Sequence, residues 1–452
     1  MVERVERTVF AYLPDAIEAV PAGRLTLLEE GGQTLGSRFA YGRRYRTRPH
    51  ALAVDPHSLP LDDAADAERA PLDGLALFGA LRDATPDAWG RRVIENRLRV
   101  PPNSLPESVY LEHAGPHRAG ALDVRHRPDS PPAEGVLPPL LQLDYLLQAA
   151  ERIENGEPVP ARLEALFAGG PSVGGARPKA VLLEDGRQWI AKFPAQGDRF
   201  DIPLIEYATL ELARHAGLHV PPTRLIALAD SRHVMLIERF DRVPVPHGLA
   251  RRHQVSALTL LGLHESASAD ASYAQISHAL AQWGARGHVA SDNAELFARM
   301  VFNILVSNDD DHLRNHAFLH DEANGGWRLS PLYDVVPKPQ VAKERYQHLG
   351  VGPHGRAARL DNALAGAGQF GLHPPTAAGI IGRMVDAVRA WREVFEAAGR
   401  MRQGGQRVPP RGRDRRARSG AAAVMKRSGE TQGMDQIRHA PAHGNDRMAR
   451  RA

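Results

Sequence analysis

The densest cluster of charged side chains lies in SNDDDHLRNHAF, residues 307–318, directly after a strongly apolar segment. Three adjacent aspartates commonly lie in a solvated loop, because like charges repel and aspartate is a poor helix former. Asp310 precedes Asn315 by five positions, the spacing at which some phosphoryl-transfer enzymes place a proton-accepting Asp and a metal-binding Asn. Only this spacing selects Asp310 as the base over Asp309 and Asp311, and the pattern also occurs by chance.

A further carboxylate follows Asn315 by 19 residues, in the segment WRLSPLYDVVP. This segment predicts a short strand that ends at Asp334, where a carboxylate could bind Mg²⁺ and link it to nucleotide phosphates. A strand-end turn before Pro337 is the plainer interpretation of Asp334 on its own. Together, Asn315 and Asp334 would supply the hard oxygen ligands that a phosphate-bound Mg²⁺ prefers.

Lys192, in QWIAKF, is predicted to end a strand, as the nucleotide-binding lysine does in the kinase sequence V-A-I-K. The plainer interpretation is a lysine that faces water from an edge strand. Glu206 follows within 14 residues at the start of a predicted helix, where it could pair with Lys192 and hold the ammonium toward phosphates. Alternatively, Glu206 could stand at the helix start only because a negative charge there interacts favourably with the helix dipole.

A glycine cluster, GGPSVGGARPKA at residues 169–180, precedes the hairpin that carries Lys192. Glycines let backbone N–H groups approach phosphates closely, although most glycine clusters are ordinary turns. The cluster matches neither the Walker A pattern nor G-x-G-x-x-G. Arg177 and Lys179 add positive charge to it, and Ser172 is its one hydroxyl.

The order of these features carries more weight than any one of them. A glycine loop, a strand lysine, a helix glutamate, a hinge-like strand, Asp-x-x-x-x-Asn and a metal-binding Asp follow one another along the chain. Six independent coincidences in that order are improbable, so the sequence favours a nucleotide-dependent phosphoryl transferase.

The elements that would hold these residues change character along the chain. Residues 6–54 alternate apolar and polar side chains and predict short antiparallel strands, and residues 72–98 predict two helices divided at Pro86. The Pro-rich residues 101–140 predict a loop or linker. Residues 178–194 predict a hairpin with a Glu-Asp-Gly turn.

The remaining predicted elements are a helix, a strand and then mostly helices. EYATLELARHAGL predicts a helix that stops at Gly217, and RHVMLIERF predicts a strand. Apolar spacing in AELFARMVFNILVSN and in residues 376–396 predicts two further amphipathic helices. Strands early and helices late indicate an α+β protein with two lobes.

Composition restricts the class of protein. The chain has 452 residues, of which 43% are hydrophobic, and no cysteine, which excludes a disulfide scaffold and a thiol nucleophile. No apolar run is long enough for a membrane span, and the acidic start MVERVERTVF is unlike a secretory signal, so we expect a cytoplasmic protein. The net charge is +4 overall and +9 within residues 401–452, so residues 1–400 carry −5.

The last 52 residues, 401–452, contain 12 Arg and no Leu, Phe, Trp or Tyr. Such a segment buries too little apolar area to fold, so it predicts a disordered basic tail. A polyanion-binding arm is the functional alternative to a solvated appendage. The composition shift near residue 400 is abrupt enough to suggest a shifted reading frame.

These motifs resemble the HipA family, the serine/threonine-kinase toxins of bacterial type II toxin–antitoxin modules. The resemblance covers about residues 8–398 and rests on SVGGARPKAVL, IAKFP, EYATLELARHAGLHVP, LIERFDR, VFNILVSNDDDHLRNHAFL and LSPLYDVVP, with GSRFAYG, LFGALRDATPDAWGRR and HRAGALDV in the amino-terminal part. It implies a bilobal, protein-kinase-like α+β fold with a β-rich amino-terminal subdomain and a helical carboxy-terminal lobe. The expected divisions are an accessory subdomain at 1–150, a kinase amino-terminal lobe at 151–250, a helical lobe at 251–400 and the tail at 401–452.

The resemblance also implies roles for individual residues. Asp310 would be the catalytic base, Asn315 and Asp334 the Mg²⁺ ligands, and Lys192 a phosphate contact that pairs with Glu206. The other implied nucleotide contacts are the phosphate loop and the hinge: Val173, Gly174, Gly175, Ala176, Arg177, Lys179, Glu238 and Phe240. Ser172 matches the serine that family members autophosphorylate.

The resemblance implies an ATP- and Mg²⁺-dependent kinase with a small HipB-like helix-turn-helix antitoxin as partner. Operator DNA would be bound mainly through that antitoxin, and the family's default substrate is glutamyl-tRNA synthetase. The basic tail does not resemble the family. Two alternatives remain: a small-molecule phosphotransferase of the aminoglycoside type, and a catalytically degenerate corepressor.

Overall fold

The structure is a computed structural model that describes residues 1–62, 67–72, 74–133, 135–160, 175–339, 342 and 344–400. Its strands are β1 (Glu3–Tyr12), β2 (Ala19–Glu30), β3 (Gln33–Tyr41), β4 (Leu122–Arg125), β5 (Lys179–Glu184), β6 (Arg187–Lys192), β7 (Thr223–Ala227), β8 (His233–Glu238), β9 (Arg242–Val245), β10 (Gly248–Arg251), β11 (Gln254–Ser256), β12 (Ala317–Asp321) and β13 (Gly326–Leu329).

The described helices divide between the two halves of the chain. They are α1 (Arg43–Arg46), α2 (Gly79–Asp83), α3 (Ala88–Leu98), α4 (Glu107–His113), α5 (Leu143–Glu154), α6 (Ile202–His215), α7 (Ala257–Leu260), α8 (Tyr273–Trp283), α9 (Val289–Val306), α10 (Leu360–Gly366), α11 (Pro374–Arg389) and α12 (Trp391–Ala398). No helix of the described ranges is both long and apolar enough to cross a bilayer.

The amino-terminal part is built on an antiparallel sheet of order β3-β2-β1-β4. The strands predicted for residues 6–54 are confirmed up to Tyr41 as β1, β2 and β3, whereas the prediction was wrong beyond it, where α1 follows. Helices α2 and α3 confirm the two helices predicted on either side of Pro86. The prediction of a linker at 101–140 was wrong in part, because this segment contains α4 and β4, and β4 pairs with β1. Short elements between prolines leave too weak a periodic signal to be found from the sequence.

The middle of the chain forms a second antiparallel sheet of order β5-β6-β8-β7. The predicted hairpin is present, and its turn residues Asp185 and Gly186 both have positive φ, 50° and 71°, as a tight hairpin turn requires. Helix α5 and the buried face of β5 and β6 share one apolar cluster, which includes Leu146 and Trp189. The expected division at residue 150 therefore falls inside a helix that packs on this sheet.

The carboxy-terminal part is mostly helical and is organised around α9. Leu296, Phe297, Met300, Val301 and Ile304 are all buried, as the apolar spacing of this segment predicts. The small sheet β11-β12-β13 packs beside it. Residues 376–396 form two helices, α11 and α12, instead of the single predicted one, with the break at Ala390.

The strand predicted to end at Asp334 is shorter than expected, since β13 ends at Leu329. Pro331 follows two residues later and has no N–H to donate to a ladder. Asp334 itself lies in irregular backbone with φ of 59°, in the left-handed region that non-glycine residues rarely occupy.

Candidate active site

A cavity of about 820 Å³ lies where the second sheet, the carboxy-terminal part and the amino-terminal part meet. Lys192, Asn315 and Asp334 all line it. The structure therefore brings together three of the four residues on which the sequence prediction depended. A cavity of this volume lies within the range that small-molecule sites occupy in proteins.

Lys192 lies at the carboxyl end of β6 and is held between two carboxylates. Its Nζ is 2.5 Å from Oε1 of Glu206 and 2.9 Å from Oδ1 of Asp334. Glu206 lies on α6, where only 3% of its side chain is exposed, whereas 43% of the Asp334 side chain is exposed. The predicted Lys192–Glu206 pair is thus present, and Asp334 makes it a triad.

Burial and charge set the pKa values of this triad. Burial alone would lower the pKa of Lys192, but the charges of Asp334 and Glu206 outweigh burial and raise it. The Lys192 ammonium lowers the pKa of Asp334. Burial raises the pKa of Glu206, against the opposing effect of Lys192. A charged ammonium therefore faces a cavity in which Asp334 is ionised at neutral pH.

The loop after α9 orients Asn315 through its own backbone. Asn315 is buried, and its Nδ2 donates to the carbonyl of Asp310 at 3.0 Å. Backbone bonds from His312 to Asp310 and from Asn315 to His312, both 2.9 Å, close the loop tightly. With the amide nitrogen engaged, the side-chain oxygen of Asn315 is the atom suited to face a cation.

Asp310 is placed differently from the other three residues. Its side chain is 61% exposed, it does not line the cavity, and its Oδ2 lies 3.3 Å from Nζ of Lys338. Lys338 also lies 3.0 Å from Oδ1 of Asp309. The structure thus leaves two adjacent acidic residues, Asp309 and Asp310, beside one lysine at the edge of the site.

Asp311 is buried and belongs to the support of the loop. Its carboxylate accepts hydrogen bonds from the hydroxyl of Tyr273 at 2.5 Å and from Nδ2 of Asn303 at 2.7 Å. It also lies 3.1 Å from Nε2 of His316. Burial would raise the pKa of Asp311, but His316 and the hydrogen bond from Tyr273 lower it. This carboxylate fastens the loop to α8 and α9 and does not line the cavity.

The glycine loop is described only from residue 175 onward, so Ser172, Val173 and Gly174 lie outside the described residues. Gly175 and Ala176 line the cavity. Gly175 has φ of 107°, and a Cβ there would lie 2.9 Å from Nζ of Lys179. The positive φ therefore favours glycine at this position.

The two cations of the glycine loop face other partners. Lys179 is buried, and its Nζ is 3.0 Å from Oδ2 of Asp87 at the start of α3; burial lowers its pKa. Arg177 pairs with Asp198 at 2.6 Å. Neither side chain lines the cavity, so the structure places both outside the position expected for a phosphate contact.

Glu238 and Phe240 both line the cavity at the end of β8, where the hinge was expected. The Phe240 ring centroid lies 5.6 Å from that of Tyr333. Arg239, between them, is buried and holds both carboxylate oxygens of Asp241 at 2.9 and 2.7 Å. This bidentate ion pair holds the backbone that joins the two lobes.

Several residues of the cavity wall were missed in the sequence. Gln254, His312 and Tyr333 come from the carboxy-terminal part, and Asp83 and Asp87 come from the amino-terminal part. His312 and Tyr333 lie within the predicted motifs, next to the residues that were singled out, and could have been found from that position. Nothing in the local sequence signals that residues 83–91 reach a site more than 100 positions away.

The fold and the site together define a bilobal α+β protein of the protein-kinase-like class. Residues 171–392 match the family model described as the HipA-like C-terminal domain. This part of the chain is therefore a HipA-like C-terminal domain.

Relatives of known sequence agree with this assignment. "Putative kinase Y4mE" of Sinorhizobium fredii is 27% identical over 327 residues, which is 66% of this chain and 73% of the relative. A Haemophilus influenzae protein named "Putative kinase" is 29% identical over 147 residues, 30% of this chain. That match spans about two fifths, 42%, of the Haemophilus protein.

A solved structure of similar fold is HipA of the Shewanella oneidensis MR-1 toxin–antitoxin system, determined with HipB and operator DNA. The TM-score is 0.65, with 97% of this chain and 99% of that chain covered. At 19% sequence identity, the similarity concerns the fold.

Proposed function

We propose that this protein is an ATP- and Mg²⁺-dependent serine/threonine protein kinase and the toxin of a HipA/HipB-type module. The observation that carries the proposal is that Lys192, Asn315 and Asp334 line one cavity, with Glu206 behind the lysine. A lysine fixed by a helix glutamate, opposite two oxygen ligands, is the arrangement that protein kinases use to bind ATP phosphates.

The side-chain oxygens of Asn315 and Asp334 fit a Mg²⁺ ion that is bound to a nucleotide. This ion needs only one or two oxygen ligands from the protein, because phosphates and water complete its coordination. Asn315 and Asp334 would hold it, and the ion would neutralise charge on the phosphates. Glu238 and Phe240 would face the adenine from the hinge, and Gly175 and Ala176 would lie along the phosphates.

The transfer step needs a base and an aligned hydroxyl. The hydroxyl oxygen attacks the γ-phosphorus, the bond from that phosphorus to the ADP oxygen breaks, and the hydroxyl proton passes to a carboxylate. We assign Asp310 as that carboxylate, which requires its side chain to leave Lys338 and turn toward the cavity. Lys192 holds the phosphates in line, so positioning and charge lower the barrier.

The proposed partners follow from the family. A HipB-like antitoxin would bind this chain and carry most of the contact with operator DNA, since the Shewanella structure contains HipA, HipB and operator DNA. Glutamyl-tRNA synthetase is the default protein substrate of the family, and Ser172 is the proposed autophosphorylation site.

Radiolabel transfer from ATP by the purified chain tests the proposal, with Asp310→Asn and Asp309→Asn as a matched pair. The two residues are adjacent and share Lys338, so both changes remove one charge from the same ion-pair cluster. We expect Asp310→Asn to reduce labelling at least 100-fold and Asp309→Asn to leave it within a few-fold of wild type.

Mass spectrometry of the labelled chain should then find phosphate on the peptide that contains Ser172. The reverse ranking of the two variants would reassign the base to Asp309. Label on a small molecule and never on protein would favour the small-molecule phosphotransferase. No transfer by the wild type, with operator binding intact alongside the antitoxin, would favour the corepressor.

A further inference from the structure

Asp83 lies at the end of α2 in the amino-terminal part, yet its carboxylate is bound by residues of the carboxy-terminal part. It accepts from the backbone N of Ser256 at 2.7 Å, from Oγ of Ser256 at 2.8 Å and from Oγ1 of Thr259 at 2.7 Å. Nη1 of Arg314 is a fourth donor at 3.2 Å. Only 10% of the Asp83 side chain is exposed.

These donors flank the loop that carries Asn315. Arg314 immediately precedes Asn315 in the chain. On the other side, Ser256 pairs with Ala317 in the β11–β12 ladder, and the backbone N of Ala257 donates to the carbonyl of His316 at 2.8 Å. Asp83 therefore holds the residue before Asn315 and the strand that pairs with the residues just after it.

The same network reaches Asp334. The carbonyl of Arg314 accepts from the hydroxyl of Tyr333 at 2.8 Å, and Tyr333 is the neighbour of Asp334. The Arg314 guanidinium also pairs with Glu265, which in turn pairs with Arg82 at 3.0 Å. Both residues proposed to hold the metal thus adjoin a residue fixed by this network.

The two helices that carry this contact are packed too closely to shift freely. A Cβ on Gly79 of α2 would lie 2.8 Å from the side chain of Thr259 on α7. Glycine at position 79 therefore permits the approach that places Asp83 within hydrogen-bond distance of Thr259. This close approach is independent of the ion pair with Arg314.

We infer that Asp83 is a positioning residue, through which the amino-terminal part sets the geometry of Asn315 and Asp334. The inference depends on the proposed function, because it concerns the metal site of the same reaction. One carboxylate accepts from donors on both sides of the loop, so loss of its charge leaves Arg314 with Glu265 as its remaining carboxylate partner and loosens the loop on both sides.

The test compares Asp83→Asn with wild type in Mg²⁺ titrations of phosphoryl transfer, with Glu112→Gln as the matched control. Glu112 also belongs to the amino-terminal part and pairs with Arg7 at 2.7 Å, away from the cavity. We expect Asp83→Asn to raise the Mg²⁺ concentration for half-maximal transfer roughly 10-fold or more, as loss of an outer-shell partner does at metal sites. ATP binding without Mg²⁺ should stay unchanged, and Glu112→Gln should behave as wild type.

If Asp83 had only a structural role, Asp83→Asn would lower the thermal midpoint and leave the Mg²⁺ requirement unchanged. That result would overturn the inference. Should Asp83→Asn fail to fold, Arg314→Lys replaces it, and an unchanged Mg²⁺ requirement in that variant overturns the inference equally. Absence of any transfer by the wild type at all Mg²⁺ concentrations would instead overturn the proposed function and, with it, the metal role on which the inference depends.

Discussion

Lys192 shows how a buried cation can keep its charge. Burial disfavours the ammonium, yet two carboxylates within 2.9 Å raise its pKa overall. Burial of the Lys192–Glu206 pair desolvates both charged groups, and this cost offsets most of their attraction. The pair therefore adds little to the free energy of unfolding, and its main effect is to orient the ammonium. The ammonium is thereby fixed toward the cavity before any ligand arrives.

We predict that Lys192→Met reduces phosphoryl transfer at least 100-fold, because it removes a fixed donor from the phosphates. It also leaves Glu206 buried without its cation, so that Glu206 takes up a proton and the free energy of unfolding falls by about 3 kcal/mol. Transfer assays and urea denaturation at pH 7 measure both effects.

Arg177→Met is the matched control, because Arg177 also pairs with an aspartate but does not line the cavity. We expect it to keep most of the activity and stability. Equal losses in the two variants would contradict a specific role for Lys192.

At the scale of elements, the loop after α9 depends on a carboxylate that does not face the cavity. Asp311 joins the loop to α8 through Tyr273 and to α9 through Asn303. The three adjacent aspartates, which look alike in the sequence, therefore divide into one structural residue and two beside Lys338. Burial distinguishes them, and burial is a property of the folded chain.

Tyr273→Phe should lower the free energy of unfolding by about 1–3 kcal/mol, since it leaves a buried carboxylate without one donor. Tyr346→Phe is the control: its hydroxyl contacts Glu344 at 2.9 Å on an exposed side chain, so we expect its stability to match that of wild type. Urea denaturation of both variants measures the difference. A Tyr273→Phe protein as stable as Tyr346→Phe would show that Asp311 needs no support from α8.

Local pattern was sufficient to predict some elements but not others. The hairpin of β5 and β6 and the helix α9 were predicted because their turn residues and apolar spacing are local signals. The end of β13 before Asp334 and the strand β4 were not, because pairing with distant strands decides them. The site followed the same rule: Lys192 and Asn315 lie in recognisable motifs, whereas Asp83 reaches the site only through tertiary contact.

At the scale of the whole molecule, the amino-terminal part is joined to the rest by buried polar groups. His253, at the start of the carboxy-terminal part, contacts the carbonyl of Val54 through Nε2 at 3.0 Å, and its Nδ1 accepts from the backbone N of Gln254 at 3.1 Å. These bonds require the neutral ring. Burial lowers the pKa of His253 to about 4.

This lowered pKa predicts a loss of stability in acid. Between pH 6.5 and about 4 the unfolded chain binds a proton at His253 that the folded chain does not, so the free energy of unfolding falls as the pH falls. The shift corresponds to roughly 3 kcal/mol across that window. His253→Gln, which cannot be protonated, should show a shallower decline in urea denaturation between pH 7 and 4. Parallel curves for the two proteins would contradict the prediction.

The ion pair of Lys179 with Asp87 has a consequence for any attempt to dissect this protein. Trp89 also donates from Nε1 to the carbonyl of Lys179 at 2.9 Å. A shortened chain that starts after β4 would lose both of these partners of Lys179, next to the glycine loop. Loss of α3 would also uncover the apolar cluster that Trp89 and Val93 share with β5 and β6, so we expect the truncated chain to aggregate more readily than the whole protein.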